Sequence, residues 1–252
     1  MIQQNTSWQP VSHWYNKQVG ASGHEYHQSV IFPRLLEILK IKKGDAVLDL
    51  GCGQGAFARV IPSDVYYQGL DAASDLITAA KGYSHNELQH FTLADVTRVE
   101  IPITKKDFTH GVMILAAQNM AHPEKAFAHF AERLQTGGVC AIVLNHPCFR
   151  IPRQSSWQID EVKKTQYRRI DRYLSPLEVP IVAHPGKQRS ATTWSFHQPL
   201  SFYINALAQQ GLLVQQCEEW SSKKTSVGKA AKMENRSRDE FPLFLTLVAK
   251  KV

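Results

Sequence analysis

Short apolar runs alternate with segments of helical apolar spacing from Lys43 to the end of the chain. Such alternation predicts a parallel sheet that helices cover on both faces. The first run, Ala46–Leu50, is nearly all apolar, as a strand buried on both sides should be. Further strands are predicted at 65–70, 88–93, 110–115, 139–144, 212–217 and 243–249.

Helical apolar spacing predicts the elements that cover this sheet. Pro33 should start or kink the first helix, and Pro123 suits the first turn of a later one. Gly137 and Gly138 are expected to end that later helix. The predicted helices cover residues 30–39, a segment that opens at 56–60, 123–136 and 201–210.

Three segments do not fit the alternation of strands and helices. Residues 1–42 precede the first strand, and residues 146–196 form a long insert after the fifth strand. Residues 221–240 read as a polar, basic loop between the last two strands. Long loops in a compact domain are usually functional or disordered, so acceptor or partner contacts are expected in these segments.

Composition narrows the class of protein. Hydrophobic residues make up 43% of 252 residues, enough for a sizeable core. No apolar run is long enough for a membrane span, and the polar start of the chain does not read as a signal peptide. The four cysteines show no metal-type spacing, so no metal site is expected and a reducing cytoplasm is the simplest location. A net charge of +7 leaves nucleic acid, an acidic small molecule or plain solubility open.

Glycines dominate the turn after the first predicted strand. The stretch reads Val47-Leu48-Asp49-Leu50-Gly51-Cys52-Gly53-Gln54-Gly55. Glycine lets the backbone turn sharply and lets a ligand approach where a Cβ would stand. Asp71 ends the second strand, 20 residues after Gly51. An acidic residue at that distance from the glycine turn commonly bonds the ribose hydroxyls of a nucleotide. Asp95 stands at the corresponding place after the third predicted strand.

This turn has two alternative interpretations. It can be a packing turn that binds nothing, or part of a nicotinamide-binding fold. Dinucleotide sites normally need G-x-G-x-x-G, so that the pyrophosphate can sit on a helix N-terminus. Here Phe57 stands near the place of the helix-packing glycine, and Asp49 lies inside the motif.

The glycine stretch is similar to the first motif of class I S-adenosylmethionine-dependent methyltransferases, V-L-D-L-G-C-G-x-G. Asp71 matches their acidic second-strand position, and Ala94-Asp95-Val96 resembles the segment that holds the adenine. Leu134–Gly138 is similar to their L-x-P-G-G turn, with Thr136 in place of the proline. The resemblance implies an α/β, Rossmann-like sheet of seven strands in the order 3-2-1-4-5-7-6, with strand 7 antiparallel. It also implies an N-terminal helical lid and an insert after strand 5.

The resemblance implies S-adenosyl-L-methionine as the cofactor and one methyltransferase domain over residues 1–252. The parts of that domain are the N-terminal lid at 1–42, the cofactor-binding core at 43–145, the substrate-side insert at 146–196 and the C-terminal core at 197–252. The implied cofactor-binding residues are Tyr15, Tyr26, Gly51, Cys52, Gly53, Gly55, Asp71, Ala72, Asp95, Val96 and Ala116.

Aromatic residues are dense in the predicted lid. The lid resembles that of small-molecule, type 11-like methyltransferases, which closes over the methionine end of the cofactor. Ring faces of Trp14, Tyr15 or Tyr26 would stabilise a cationic sulfonium. The alternative is that these rings only pack the lid onto the sheet.

The acceptor side is expected at the end of the fifth strand, where such sheets bind ligands. Asn145 and His146 stand there, and His146 is a candidate general base because its pKa is near neutrality. A purely structural histidine is the alternative. Trp194–Leu200 resembles the stretch of the same subgroup that leads into the substrate-side helix. The predicted substrate-binding residues are Asn145, Arg168, Arg172, Tyr173 and His197.

Basic residues crowd the insert and the loop before the last strand. If the insert is helical there, Arg168 and Arg172 share one face at i and i+4 and suit an anionic acceptor. A solvated charged surface is the alternative. The basic residues are Lys163, Lys164, Arg168, Arg169, Arg172, Lys187 and Arg189 in the insert, and Lys223, Lys224, Lys229, Lys232, Arg236 and Arg238 in the loop.

The favoured function is methyl transfer to a small metabolite that is anionic or aromatic. One alternative is an RNA or protein methyltransferase whose basic loops grip phosphates or an acidic tail. Another is a cofactor-binding regulator without catalysis. Membrane association is not expected, and the sequence leaves the oligomeric state open.

Overall fold

A computed structural model describes residues 7–20, 23–182 and 192–252. The helices are α1 (Ser12–Val19), α2 (Phe32–Leu39), α3 (Ser74–Tyr83), α4 (Pro123–Arg133), α5 (Leu200–Gln209) and α6 (Ala231–Glu240). The strands are β1 (Ala46–Leu50), β2 (Tyr66–Asp71), β3 (Gln89–Leu93), β4 (Phe108–Ile114), β5 (Leu134–Asn145), β6 (Ser155–Asp160), β7 (Thr165–Ile170), β8 (Leu177–Val182), β9 (Thr192–His197), β10 (Leu212–Trp220) and β11 (Phe244–Lys251).

Seven of these strands form one twisted sheet in the order β3-β2-β1-β4-β5-β11-β10. Strands β1 to β5 run parallel, and β11 runs antiparallel to both of its neighbours. Counted along the chain, this is the order 3-2-1-4-5-7-6 with strand 7 antiparallel. The predicted fold is therefore confirmed.

Each face of the sheet carries its own hydrophobic core. The side chains of β1 alternate, so that Leu48 and Leu50 pack on one face and Val47 on the other. Helices α4 and α5 cover the first face, and α2 and α3 cover the second. Two buried faces explain why β1 reads as an apolar run rather than as an alternating one.

The expected N-terminal helix is present, with Pro33 in the first turn of α2. One wider turn of π-helix, His27–Ile31, runs directly into it. Because proline has no N–H to donate, it fits the junction where the π-helix ends and α2 begins. Pro33 thus lies in the first turn of α2, at a change of helix type, in agreement with the expectation that it starts or kinks this helix.

Two expectations about the glycine-containing turns are wrong. The glycine loop leads only into a short 3₁₀ turn, Phe57–Arg59, because Pro62 follows at once and disfavours helix in the residue before it. The later pair, Gly137 and Gly138, lies inside β5, since α4 already ends at Arg133.

The structure of the insert also differs from the helical interpretation. It forms two antiparallel hairpins, β6–β7 and β8–β9. Residues 221–240, expected as a loop, contain α6, which packs against β7. Lys187 and Arg189 lie outside the described residues. Within the described part of the chain, no helix is long and apolar enough to cross a bilayer.

Candidate active site

The glycine loop folds tightly onto the carboxyl end of β2. The amides of Gly51 and Cys52 both donate to the carbonyl of Leu70, at 2.8 and 2.9 Å. Gly51 has φ +83°, and a Cβ there would stand 2.5 Å from the Cβ of Ala116. Only glycine fits both this backbone conformation and this approach. The loop thus brings Ala116, which follows β4, against the end of β1.

The carboxylate of Asp71 holds the loop from below. Oδ2 accepts the amide of Gly53 at 2.9 Å, and Oδ1 accepts the amide of Ala73 at 2.9 Å. Burial raises the pKa of Asp71, while these backbone hydrogen bonds lower it. The Ala72 amide also hydrogen-bonds this carboxylate, and since a carboxylate has about four acceptor sites, room for a ligand hydroxyl remains. The predicted site residue is therefore also the residue that shapes the loop.

Asp49 is a buried acid that the sequence analysis did not predict as a site residue. It lies at the end of β1, 2% exposed, and its Oδ2 accepts the phenol of Tyr67 at 2.5 Å. Its Oδ1 has no hydrogen-bond partner within the described part of the chain. Burial raises the pKa of Asp49 to about 7, against the Tyr67 hydrogen bond, which lowers it. An acidic residue inside an otherwise apolar strand is the sequence signal that could have identified Asp49.

The N-terminal segment places Tyr15 over this loop. A Cβ on Gly53 would lie 3.4 Å from the Tyr15 ring. Burial raises the pKa of Tyr15, and the charges of Asp71 and Asp49 raise it further. Ser12 Oγ donates to Asp75 of α3 at 2.8 Å, so α1 is fastened beside the loop.

A small cavity lies under Tyr15, between the N-terminal segment and the ends of β1 and β4. Asp49, residues of the glycine loop and apolar side chains line it together. Its lining residues are Tyr15, His27, Phe32, Asp49, Gly51, Cys52, Gln54, Ala56, Phe57 and Ile114.

The remaining predicted cofactor residues occupy the rim of the same sheet edge or pack nearby. Ala72 is exposed directly after Asp71, whereas Val96 is buried in the core. Asp95 accepts the amide and hydroxyl of Thr97, at 2.9 and 2.6 Å, and so closes its own turn after β3. Tyr26 packs edge-on against Phe244, at the start of β11.

Residues 48–142 match the family model described as a methyltransferase domain. This range contains the glycine loop, Asp71 and Asp95. Residues 48–142 therefore form a methyltransferase domain. The resemblance recognised in the motifs is thereby confirmed, and the cofactor of this methyltransferase is S-adenosylmethionine.

Solved structures agree with the fold. An S-adenosylmethionine-dependent methyltransferase from Mesorhizobium loti is 23% identical, with a TM-score of 0.69, over 92% of this chain and 100% of that one. A Listeria monocytogenes protein described as a methyltransferase of the same dependence is 20% identical, with a TM-score of 0.66, over 88% and 96%. A Clostridium acetobutylicum methyltransferase is 15% identical, with a TM-score of 0.61, over 96% and 97%. A search of curated proteins found no match.

The residues of the cavity fit S-adenosylmethionine. Its positively charged ammonium and sulfonium groups suit the unpartnered carboxylate oxygen of Asp49 and the face of Tyr15. The glycine loop leaves backbone without side chains where the methionine portion would lie. Asp71, with lone pairs to spare, suits the ribose hydroxyls.

On the acceptor side, both ring nitrogens of His146 have partners. Nε2 bonds the Glu219 carboxylate at 2.7 Å, and Nδ1 accepts the amide of Cys148 at 3.2 Å. The side chain is 2% exposed. Burial lowers the pKa of His146, and Glu219 opposes that shift. A role as general base stays a prediction, and it requires the Cys148 contact to open.

The structure contradicts the arrangement predicted for Arg168 and Arg172. Arg168 lies in β7 rather than in a helix, and Arg172 follows that strand, so they share no helical face. Arg168 donates from Nε to the carbonyl of Phe149 at 2.7 Å and from Nη2 to Ser155 Oγ at 2.8 Å. Its guanidinium also stacks over Trp157. Arg168 therefore fastens the β6–β7 hairpin to the chain after β5.

Tyr173 and His197 are joined to each other. His197 Nε2 bonds the carbonyl of Tyr173 at 2.6 Å, and the Tyr173 hydroxyl accepts the amide of Leu200 at 3.0 Å. These bonds fix the entry to α5. Asn145, by contrast, is exposed at the end of β5, where the acceptor side was predicted.

Proposed function

We propose that this enzyme transfers the methyl group of S-adenosylmethionine to a small metabolite that is anionic or aromatic. One observation carries the proposal. Strand β9 of the insert contacts both the turn Gln9–Val11 of the N-terminal segment and the turn Ala117–Asn119 that follows β4. The N-terminal segment and the insert therefore meet above the carboxyl end of the sheet. Because these two segments cover that end of the sheet, a small acceptor that enters a pocket is favoured. A polymer would need an open groove there.

The pairing of the basic residues favours the same function. Lys224 pairs with Glu25 at 3.0 Å, Arg169 with Asp171 at 2.7 Å, and Arg238 with Glu234 at 3.3 Å. Cations that already have carboxylate partners are poor candidates for a surface that grips phosphates. RNA or protein as the acceptor, and a regulator without catalysis, are the competing functions.

In this function the bound cofactor supplies an electrophilic methyl group. The chain contributes alignment and the exclusion of water, which are the main demands of a displacement at a methyl carbon. Asp71 holds the glycine loop in its binding shape, Asp49 offers a carboxylate oxygen, and Tyr15 covers the loop. His146 would accept a proton only from a hydroxyl or carbon acceptor.

The proposal takes residues 1–252 as one methyltransferase domain, with 1–42 as its lid and 146–196 as its substrate-side insert. It places the reaction in the cytoplasm, where the thiols of Cys52, Cys140, Cys148 and Cys217 would stay reduced.

The test is a transfer assay with methyl-labelled S-adenosylmethionine. The purified chain is incubated with a panel of phenols and carboxylic acids, with total RNA and with a protein extract. We expect label in the small-molecule fraction, and a variant with Asp71→Ala should transfer less. Label in RNA or in protein would overturn the proposal in favour of a polymer acceptor. Cofactor binding without transfer to any fraction would support the regulator.

A further inference from the structure

Arg150 occupies a turn that the structure holds in place from several sides. The turn follows β5, and the amides of Phe149 and Arg150 both donate to the carbonyl of His146, at 3.2 and 2.7 Å. Arg168 donates to the carbonyl of Phe149, the residue just before Arg150. The backbone of Arg150 is thus fixed. The residue is exposed to solvent, and partial burial of its guanidinium lowers its pKa.

The guanidinium of Arg150 has no carboxylate partner among the described residues. Arg168 lies beside Arg150, because its Nε donates to the carbonyl of Phe149, the preceding residue, at 2.7 Å. Burial lowers the pKa of Arg168, and the charge of Arg150 lowers it further. The hydrogen bonds of Arg168 go to the Phe149 carbonyl and to Ser155. Two neighbouring cations without an anion repel each other, which favours a site that an external anion completes.

Aromatic side chains from both sides border this pair of cations. Tyr26 of the N-terminal segment lies near Arg150 and packs against Phe244. Phe149 stacks on His146, with ring centroids 4.7 Å apart, and packs edge-on against Phe241. Lys224 lies 5.1 Å from the Tyr26 ring but already pairs with Glu25. The available charge is therefore that of Arg150, and its surroundings are aromatic.

We infer that Arg150 binds the oxyanion of the methyl acceptor, a carboxylate or a phosphate, and that Arg168 acts as its positioning residue. The inference rests on the proposed function, because it assigns the anionic group of that acceptor to a residue. A guanidinium offers paired N–H donors that match a carboxylate or a phosphate in a bidentate contact. The arginine that binds the acceptor is then the one in the turn after β5, rather than Arg168 or Arg172.

The test uses benzoate and inorganic phosphate as probes, each titrated calorimetrically into the full chain saturated with S-adenosylhomocysteine. Arg150→Gln is compared with Arg169→Gln, which removes the same charge from an exposed residue that pairs with Asp171 in the neighbouring hairpin. Arg150→Gln should weaken binding of the preferred probe at least about tenfold, as loss of a charge-assisted hydrogen bond predicts. Arg169→Gln should bind the probes as the unaltered chain does. Both variants should bind S-adenosylhomocysteine unchanged.

Each outcome decides the matter. Tighter binding of benzoate identifies a carboxylate, and tighter binding of phosphate identifies a phosphate; both support Arg150 if its substitution removes that binding. Equal binding by Arg150→Gln and the unaltered chain overturns the inference, as does an unaltered chain that binds neither probe saturably. The assay involves no methyl transfer. Its failure is therefore separate from that of the proposed function, which the labelled-transfer experiment tests.

Discussion

Asp71 combines a predicted role in cofactor binding with a structural role in the glycine loop. It stands where a ribose ligand is expected, and it also accepts the amide of Gly53. Removing the carboxylate therefore frees the glycine loop as well as any ligand hydroxyl. A loss of cofactor affinity at this residue combines direct and indirect effects.

We predict that Asp71→Ala weakens binding of S-adenosylhomocysteine by about 1.5–3 kcal/mol, the range for a hydrogen bond to a charged group. The affinity of Asp71→Asn for S-adenosylhomocysteine should lie between those of Asp71→Ala and the unaltered chain. Its side-chain amide oxygen can still accept a hydrogen bond from the amide of Gly53 or of Ala73. Isothermal calorimetry measures the affinities, with the exposed Asp64→Asn as control. Unchanged affinity in a folded Asp71→Ala would remove Asp71 from the site.

Asp49 makes the stability of the chain depend on pH. Its pKa is raised from an ordinary value of 3.8 to about 7, so the folded state binds more protons than the unfolded state between those values. The stability it contributes is complete below its ordinary pKa and is lost as pH rises through about 7.

The variant Asp49→Asn should not show this loss, since an amide does not ionise and its oxygen can still accept the Tyr67 hydroxyl. Relative to the unaltered chain, it should gain about 4 kcal/mol in unfolding free energy between acidic and alkaline pH, because the pKa difference between 3.8 and about 7 corresponds to about 1.4 kcal/mol per pH unit. Urea unfolding across the pH range measures this, and Asp64→Asn again serves as the control. Parallel pH profiles for Asp49→Asn and the unaltered chain would mean that Asp49 is ionised throughout.

At the scale of elements, several side-chain contacts connect the β6–β7 hairpin to its surroundings. Arg168 bonds Phe149 and Ser155, and Trp157 packs edge-on against Phe241 just before β11. Ser237 of α6 donates to Gln166 of β7 at 2.8 Å. The hairpin therefore supports the turn that carries Arg150.

We predict that Arg168→Gln lowers the unfolding free energy by about 1–2 kcal/mol, because its hydrogen bonds are only partly shielded from water. Arg172→Gln, at an exposed position after β7, should change stability within about 0.5 kcal/mol, as surface substitutions usually do. Thermal and urea unfolding of the two variants give the comparison. If both substitutions cost the same, Arg168 is not a fastening residue.

At the scale of the whole molecule, several of the basic residues behind the net charge of +7 lie in ion pairs. Ion pairs link basic residues to acidic ones in the insert, in α6 and between the loop after β10 and the N-terminal segment. General attraction to polyanions would then come from diffuse charge alone, and such attraction falls steeply with salt.

We predict weak RNA binding that disappears near physiological ionic strength and does not depend on RNA structure. Fluorescence anisotropy with a hairpin RNA and a single-stranded RNA, over a series of salt concentrations, checks this. Tight binding that distinguishes the two RNAs at physiological salt would favour the RNA methyltransferase and count against the metabolite acceptor. Comparison with a sulfated polysaccharide controls for simple charge.

The sequence alone determined the sheet and the cofactor edge of this protein. An apolar run such as β1 indicates burial on both faces of the sheet. The glycines at 51, 53 and 55 indicate a backbone conformation in which side chains would be strained or too close to their neighbours. Both are local properties, and a local pattern carries them. The same holds for Pro33 at the start of α2.

Only the tertiary structure decided what the polar residues of the insert do. Charge and spacing suggested that Arg168 and Arg172 share a helix face and that His146 is free to act as a base. Strand pairing placed Arg168 in a hairpin, and Glu219, which lies 73 residues further along the chain, bonds His146. The partner of a polar side chain is set by contacts distant in sequence, and no local pattern records them. For that reason the cofactor side was predictable from the sequence, and Arg150 emerged only once the chain was folded.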